Sequence, residues 1–126
     1  MTTEDSADQT VLSERAKRKE QKILSFLGLA TKAGRTVSGS DAVAEAIVRD
    51  CAYLVLVAED ASEGTAEKIA FLSRQSGIAF CRFSTRAQLG KFMGKEDRAV
   101  AAVLDEGFAD RLIQLLQDGY EVIQEE

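Results

Sequence analysis

The 126-residue chain contains no histidine, no proline and no tryptophan, and only two cysteines. Without histidine the commonest general base and metal ligand is missing, which excludes His-dependent nucleophilic triads and weakens the case for catalysis. Carboxylate and lysine chemistry remain open. Cys51 and Cys81 stand singly, outside any C-x-x-C pair, so neither a zinc site nor a disulfide framework is supported and both read as reduced core thiols. No apolar run approaches the roughly 18 residues of a membrane span. The N-terminus MTTEDSADQT is acidic where a secretory signal is basic and then apolar. A cytoplasmic protein without a membrane partner is expected. The phosphate-cradling pattern GxxxxGK[ST] and the dinucleotide pattern GxGxxG are both absent, and neither a metal nor a cofactor is expected.

What is present is an ordinary globular composition, 45% hydrophobic and 29% charged, long enough for one domain with its own core. The net charge of -5 ordinarily argues against nucleic acid, but the charge is segregated. Residues 1–14 carry four acids and no base, and residues 105–126 carry seven acids against Arg111. Between them lie 15 bases against 10 acids. Most of that excess falls in residues 15–35, where seven bases face Glu20. A case for RNA therefore rests on the first helix and its exit lying beside the candidate site.

Residues 1–12 are polar and lack periodicity, so a mobile acidic N-terminus is expected, then one domain over 13–119 and an acidic tail over 120–126. Ser13 is a helix cap in this reading, with Ile23, Leu27 and Ala30 as the buried stripe and Gly34 as the C-terminal stop. A short strand at Arg35–Ser38 precedes a helix capped by Ser40, with Asp41 at its positive end. Tyr53–Ala58 is a continuous apolar run, which suits a central strand covered on both sides. Ile78–Phe83 and Ala99–Leu104 are two further strands. The intervening helices end at Gly77 and near Gly94, and a capping box opens at Thr85-Arg86-Ala87-Gln88. Phe108, Leu112, Leu115 and Leu116 mark the last helix. Near-strict alternation predicts a three-layer α/β/α sandwich around a small mixed, mostly parallel sheet of about four strands.

Four stretches are candidates for function. KAGRTVSGSD (32–41) packs two glycines, three hydroxyls and two bases between helix ends, and its N–H groups at Gly39 to Asp41 suit a phosphate or a base edge. A glycine-bearing corner is the competing reading. Glu59-Asp60-Ala61-Ser62-Glu63 offers carboxylates for Mg2+ or acid–base work, against the stronger reading that these acids serve the following helix N-terminus. The run Arg15, Lys17, Arg18, Lys19, Lys22 places Arg15, Lys19 and Lys22 on one helical side, fit for phosphates or simply solvated. KFMGKEDR (91–98) is a surface loop or a second lip beside Gly39.

In order and together, LGLATKAGRTVSGSDAVAEAI (27–47), LVLVAEDAS (54–62), LGKFMGK (89–95) and AVLDEGFA (102–109) resemble the kink-turn RNA-binding ribosomal proteins of the L7Ae type, in their bacterial YlxQ-like branch. The resemblance covers about residues 24–116. It implies an α/β/α sandwich that binds structured RNA without catalysis, at a sharp bend where tandem sheared G·A pairs flank a bulge, in a ribosomal or translational setting. Carried over by position, the helix start after Gly39 reads the G·A pairs through Gly39, Ser40, Asp41, Ala42 and Glu45. Glu59 to Ser62, Arg86 and Gly94 to Arg98 face the bulged nucleotides. The RNA-binding set is thus Lys32, Arg35, Gly39, Ser40, Asp41, Glu59, Ser62, Arg86, Lys95 and Arg98, with Lys32 and Arg35 on phosphates.

The chain departs from the pattern of tight binders, which present an amide and a carboxylate at the positions of Asp41 and Ala42 and a lysine at Glu45. A lost base contact and a reversed phosphate contact each cost about 1–3 kcal/mol. The alternative reading follows from these departures: a protein-interaction module that kept the fold and lost specific RNA binding, docking translation or transcription factors through its acidic last helix or basic first helix.

Overall fold

Apolar residues on both faces of consecutive strands dictate a covered sheet. In the computed structural model, which describes residues 3–124 and the side chains from residue 11 onward, that sheet has five strands in the order β1-β4-β2-β3-β5. The elements are α1 (Thr3–Lys32), β1 (Thr36–Ser38), α2 (Ser40–Val48), β2 (Leu54–Val57), α3 (Glu63–Gln75), β3 (Ala79–Arg82), α4 (Arg86–Phe92), β4 (Val100–Val103), α5 (Glu106–Gln117) and β5 (Val122–Ile123). All four residues of β2 and of β4 are buried. Alternation along the strands divides their side chains between two cores. Leu54, Leu56, Cys81, Ala101 and Val103 join Ile23, Leu24 and Leu27 of α1, Leu89 of α4 and Leu112 and Leu116 of α5. Val55, Val57, Phe80, Val100 and Ala102 join Val43 and Ile47 of α2 and Ala66 and Ile69 of α3. The three-layer sandwich is as expected.

The strand directions are not. β1, β2 and β3 run the same way, but β4 inserts between β1 and β2 antiparallel to both, and β5 pairs antiparallel with β3, so β2–β3 is the one parallel pair among the described residues. The cause lies in α4, which has seven residues where a parallel crossover needs an element long enough to traverse the sheet. After α4 the chain folds straight back: Lys95 N–H donates to the Gly90 carbonyl and Arg98 N–H to the Arg86 carbonyl. It re-enters the sheet at the end it left, as an antiparallel strand.

Elements extend past both expected edges of the domain. Ser13 lies inside α1, which starts at Thr3, so it does not cap that helix. The tail from residue 120 closes the sheet: Tyr120 stacks edge-on against Phe83 at 5.0 Å, and Val122 and Ile123 pair with Cys81 and Phe80. Met1 and Thr2 of the expected mobile segment, and Glu125 and Glu126 of the expected tail, lie outside the described residues. Cys81 is a buried core thiol as expected, whereas Cys51 is exposed in the loop after α2.

Candidate functional site

The carboxyl ends of β1, β2 and β3 and the start of β4 meet at one end of the sheet, since Ser38 is paired with Ala101 and Val57 with both Val100 and Arg82. The loops leaving those ends are tied to one another by backbone bonds. Gly39 N–H donates to the Val100 carbonyl at 3.0 Å, Ala58 N–H to Ala99 at 2.8 Å and Glu59 N–H to Ser84 at 2.8 Å. Four separate stretches of sequence thus form one surface.

At its centre is the start of α2. Gly39 is the N-cap, at φ 94° and ψ 148°, with no side-chain capping bond; Ser40, expected as the cap, is the first helical residue. Only glycine adopts this backbone region readily. The side chain that ordinarily satisfies the first-turn N–H groups is therefore missing, and the positive end of the helix is open to a ligand acceptor. Asp41 is exposed in the first turn. Glu45, one turn on, is held by Arg49 at 3.3 Å with both side chains well exposed, so its carboxylate comes with a partner of opposite charge.

Beside Gly39 lies an open groove of about 330 Å³, lined by Thr31, Thr36, Val37, Ser38, Ala42, Met93, Lys95 and Arg98. Its lining holds two cations and no carboxylate. Arg98 is fixed in place: its Nε donates to Ser38 Oγ at 3.0 Å and its Nη1 to the Asp97 carbonyl at 3.0 Å. Thr31 and Met93 also line a second groove of about 450 Å³ between α1 and α4, where Lys32 and Lys91 lie. Lys32 thus borders the neighbouring groove, not the one at Gly39.

On the other side of the surface, Asp60 Oδ1 accepts from Arg86 N–H at 2.8 Å and Oδ2 faces Arg86 Nε at 3.7 Å. Asp60 therefore stabilises the start of α4 and holds Arg86, which is a structural use of the carboxylate cluster. Among the described residues no group of three or more His, Cys, Asp or Glu is arranged to hold a metal ion. Ser62 caps α3, its Oγ accepting from Thr65 N–H at 3.2 Å. Thr85 forms one half of its capping box by accepting from Gln88 N–H, while the buried Gln88 Oε1 lacks a partner among the described residues.

The structure therefore brings together Gly39, Ser40, Asp41, Lys95 and Arg98, with Glu59, Ser62 and Arg86 on the adjoining loops. Arg35 is not brought there. Its carbonyl accepts from Leu104 N–H, placing its backbone at the opposite end of β1, about 13 Å from Gly39 at the rise of a strand. Sequence reading also missed Arg82, whose guanidinium donates to the Ala58 carbonyl at 3.1 and 3.3 Å and to the Glu59 carbonyl at 2.9 Å. Its acceptors are 23 and 24 residues upstream, on a neighbouring strand end, where no local pattern points. Ser38 was passed over for a similar reason, because its partner is 60 residues away.

These features define an α/β/α protein in which a helix start at Gly39 without a side-chain cap is flanked by a cationic groove. Residues 21–113 match the ribosomal protein L7Ae/L30e/S12e/Gadd45 family, and the chain belongs to that family. It is 46% identical over 91 residues to RNA-binding protein YlxQ of Bacillus subtilis, covering 72% of this chain and 91% of that one. A second YlxQ, from Enterococcus faecium, is 31% identical over 97 residues, 77% of this chain and 93% of that one, and the chain falls in the YlxQ-like branch. It is also similar to the large ribosomal subunit protein eL8 of Cenarchaeum symbiosum, at 30% identity over 92 residues, 72% of this chain and 73% of that one. Among solved structures, a Bacillus halodurans protein of unknown function superposes with a TM-score of 0.74 at 32% identity, over 76% of this chain and 97% of that one.

Proposed function

We propose that the protein is a non-catalytic binder of structured RNA that recognises a sharp internal bend of the kink-turn kind, in a ribosomal or translational setting. The observation that carries this reading is the convergence at Gly39. An uncapped helix N-terminus, the exposed Asp41 and a groove bearing Lys95 and Arg98 without a carboxylate share one surface. RNA bends offer splayed bases and closely spaced phosphates, and are recognised by shape and by such mixed contacts. The names of the YlxQ and eL8 relatives support the same ligand class. In this reading Gly39, Ser40 and Asp41 meet the base edges, and Lys95 and Arg98 meet the phosphates. Glu59, Ser62 and Arg86 border the bulged nucleotides, and Lys32 meets the backbone from the adjoining groove.

Ultraviolet crosslinking to a kink-turn RNA, with the modified peptides mapped, tests this placement. Adducts within residues 36–45 and 93–98 are expected. Adducts confined to the outer faces of α2 and α3 contradict it. The protein-docking alternative draws its support from Ala42 and Glu45; it predicts that protein partners, and no RNA, are crosslinked to the chain in cells.

A further inference from the structure

A second cationic surface lies on α1, most of it upstream of the family-matched span, which begins at residue 21. Arg15, Arg18, Lys19 and Lys22 are spaced i, i+3, i+4 and i+7, the spacing of one helical face. Together with Gln114, Leu115 and Asp118 of α5 they line an open groove of about 330 Å³. Four cations share it with one carboxylate, and that carboxylate is taken up by Lys19, whose Nζ lies 3.1 Å from Asp118 Oδ2 and also donates to the Asp118 carbonyl. Arg15, Arg18 and Lys22 are exposed, and none of them is paired with a carboxylate among the described residues.

The position of this groove is fixed by the end of α5. Asp118 is two residues from Tyr120, whose ring packs on Phe83 beyond the carboxyl end of β3, next to the loop that carries Glu59 to Ser62. The Tyr120 hydroxyl is pushed above its ordinary pKa by burial, and then by the carboxylates of Glu20 on α1 and Glu59 on that loop. Lys19 of α1 is bonded to Asp118, two residues from that ring, so α1 passes the same end of the sheet as the Gly39 surface. β1 and β5 are the two edges of a five-stranded sheet, so the strand ends next to Gly39 and to Tyr120 are about 20 Å apart at the usual strand spacing. That is less than one turn of a duplex. No aromatic residue lines the groove, which leaves no platform for base stacking.

We propose that the Arg15–Lys22 face of α1 is a second, sequence-independent phosphate-contact surface, holding the backbone of an RNA duplex that leads out of the element bound at Gly39. The inference rests on the RNA-binding reading above. Its test compares wild type with the triple variant Arg15→Gln, Arg18→Gln, Lys22→Gln, all three at exposed positions. Each is titrated over a range of salt with kink-turn RNAs carrying a long or a short flanking duplex, and with a linear duplex. The triple variant is expected to lose at least tenfold in affinity for the long-flank RNA near 0.1 M salt. The slope of log K against log salt should flatten by about 2 units, with little loss on the short-flank RNA and an unchanged preference for bent over linear RNA. Unchanged affinity and slope, with wild type still preferring the bent RNA, overturn this surface and leave the Gly39 reading standing. Wild type that prefers neither RNA overturns the Gly39 reading and this inference with it. Loss of an acidic protein partner from the variant, with RNA binding unaffected, also overturns it.

Discussion

Arg98 Nε donates to Ser38 Oγ at 3.0 Å, joining residues 60 apart in the chain and pinning the loop after α4 to the end of β1, next to Gly39. The cation is thereby held at the groove wall without losing its charge. Replacing Arg98 by Ala is expected to weaken bent-RNA binding about tenfold, and Ser38→Ala, which leaves the charge but frees the side chain, about threefold. The double variant should bind no worse than Arg98→Ala, because the two share one interaction. Titrations of the four proteins check this cycle.

Glu45 stands one turn beyond Asp41 with its carboxylate against Arg49. Glu45→Lys replaces an exposed ion pair, worth little to stability, with a cation beside the surface proposed to meet RNA. Affinity for bent RNA at low salt is expected to rise about fivefold to tenfold, and the salt slope to steepen by about one unit. Unchanged melting temperature alongside that gain shows that the effect lies in binding.

Gly90 sits where the loop after α4 folds back, and a Cβ there falls 1.8 Å from the Glu96 carbonyl oxygen and 2.6 Å from its carbon. Backbone on both sides cannot yield cheaply. Gly90→Ala is expected to cost at least about 2 kcal/mol, read as a melting temperature lower by about 6 °C or more. Gly39→Ala meets no neighbouring atom within 4 Å and suffers only its positive φ of 94°, about 1–3 kcal/mol. Its effect on RNA binding should exceed its effect on folding.

Cys81 is buried, and burial first, then Glu59 and Glu121, push its thiol from 9.0 up to about 12. The unfolded chain gives up this proton near the ordinary value, while the folded chain keeps it. Stability from Cys81 is therefore complete below about pH 9 and is lost as pH rises toward 12. Denaturant midpoints should fall over that range and fall less in Cys81→Ala. Thiol reagents should modify the exposed Cys51 well before Cys81.

The parts of the fold set by local pattern were legible. The apolar run around Val55, the stops at Gly34 and Gly77 and the face of Val43 and Ile47 each follow from composition and period over a few residues. Strand direction was not, because it depends on α4 being too short to cross the sheet and on Gly90 allowing the loop to close against it. The last strand escaped notice for a different reason: Val122 and Ile123 are two apolar residues in an acidic tail, and only their pairing with β3 makes them a strand. Around Gly39, the residues Ser40, Asp41, Lys95 and Arg98 were named from the family pattern, and the fold places them on one surface. The ties that organise them, Ser38 to Arg98 and Arg82 to Ala58, join distant segments and leave no mark in local sequence.

The surface around Gly39 is proposed to select bent RNA over a plain duplex. Equilibrium titration of the wild-type protein with a kink-turn RNA and with a linear duplex of equal length, at two salt concentrations, tests it most directly. A preference for the kink-turn of at least tenfold that survives the higher salt is expected, since base and shape contacts are less screened than phosphate contacts. Equal affinities that weaken together as salt rises would contradict it.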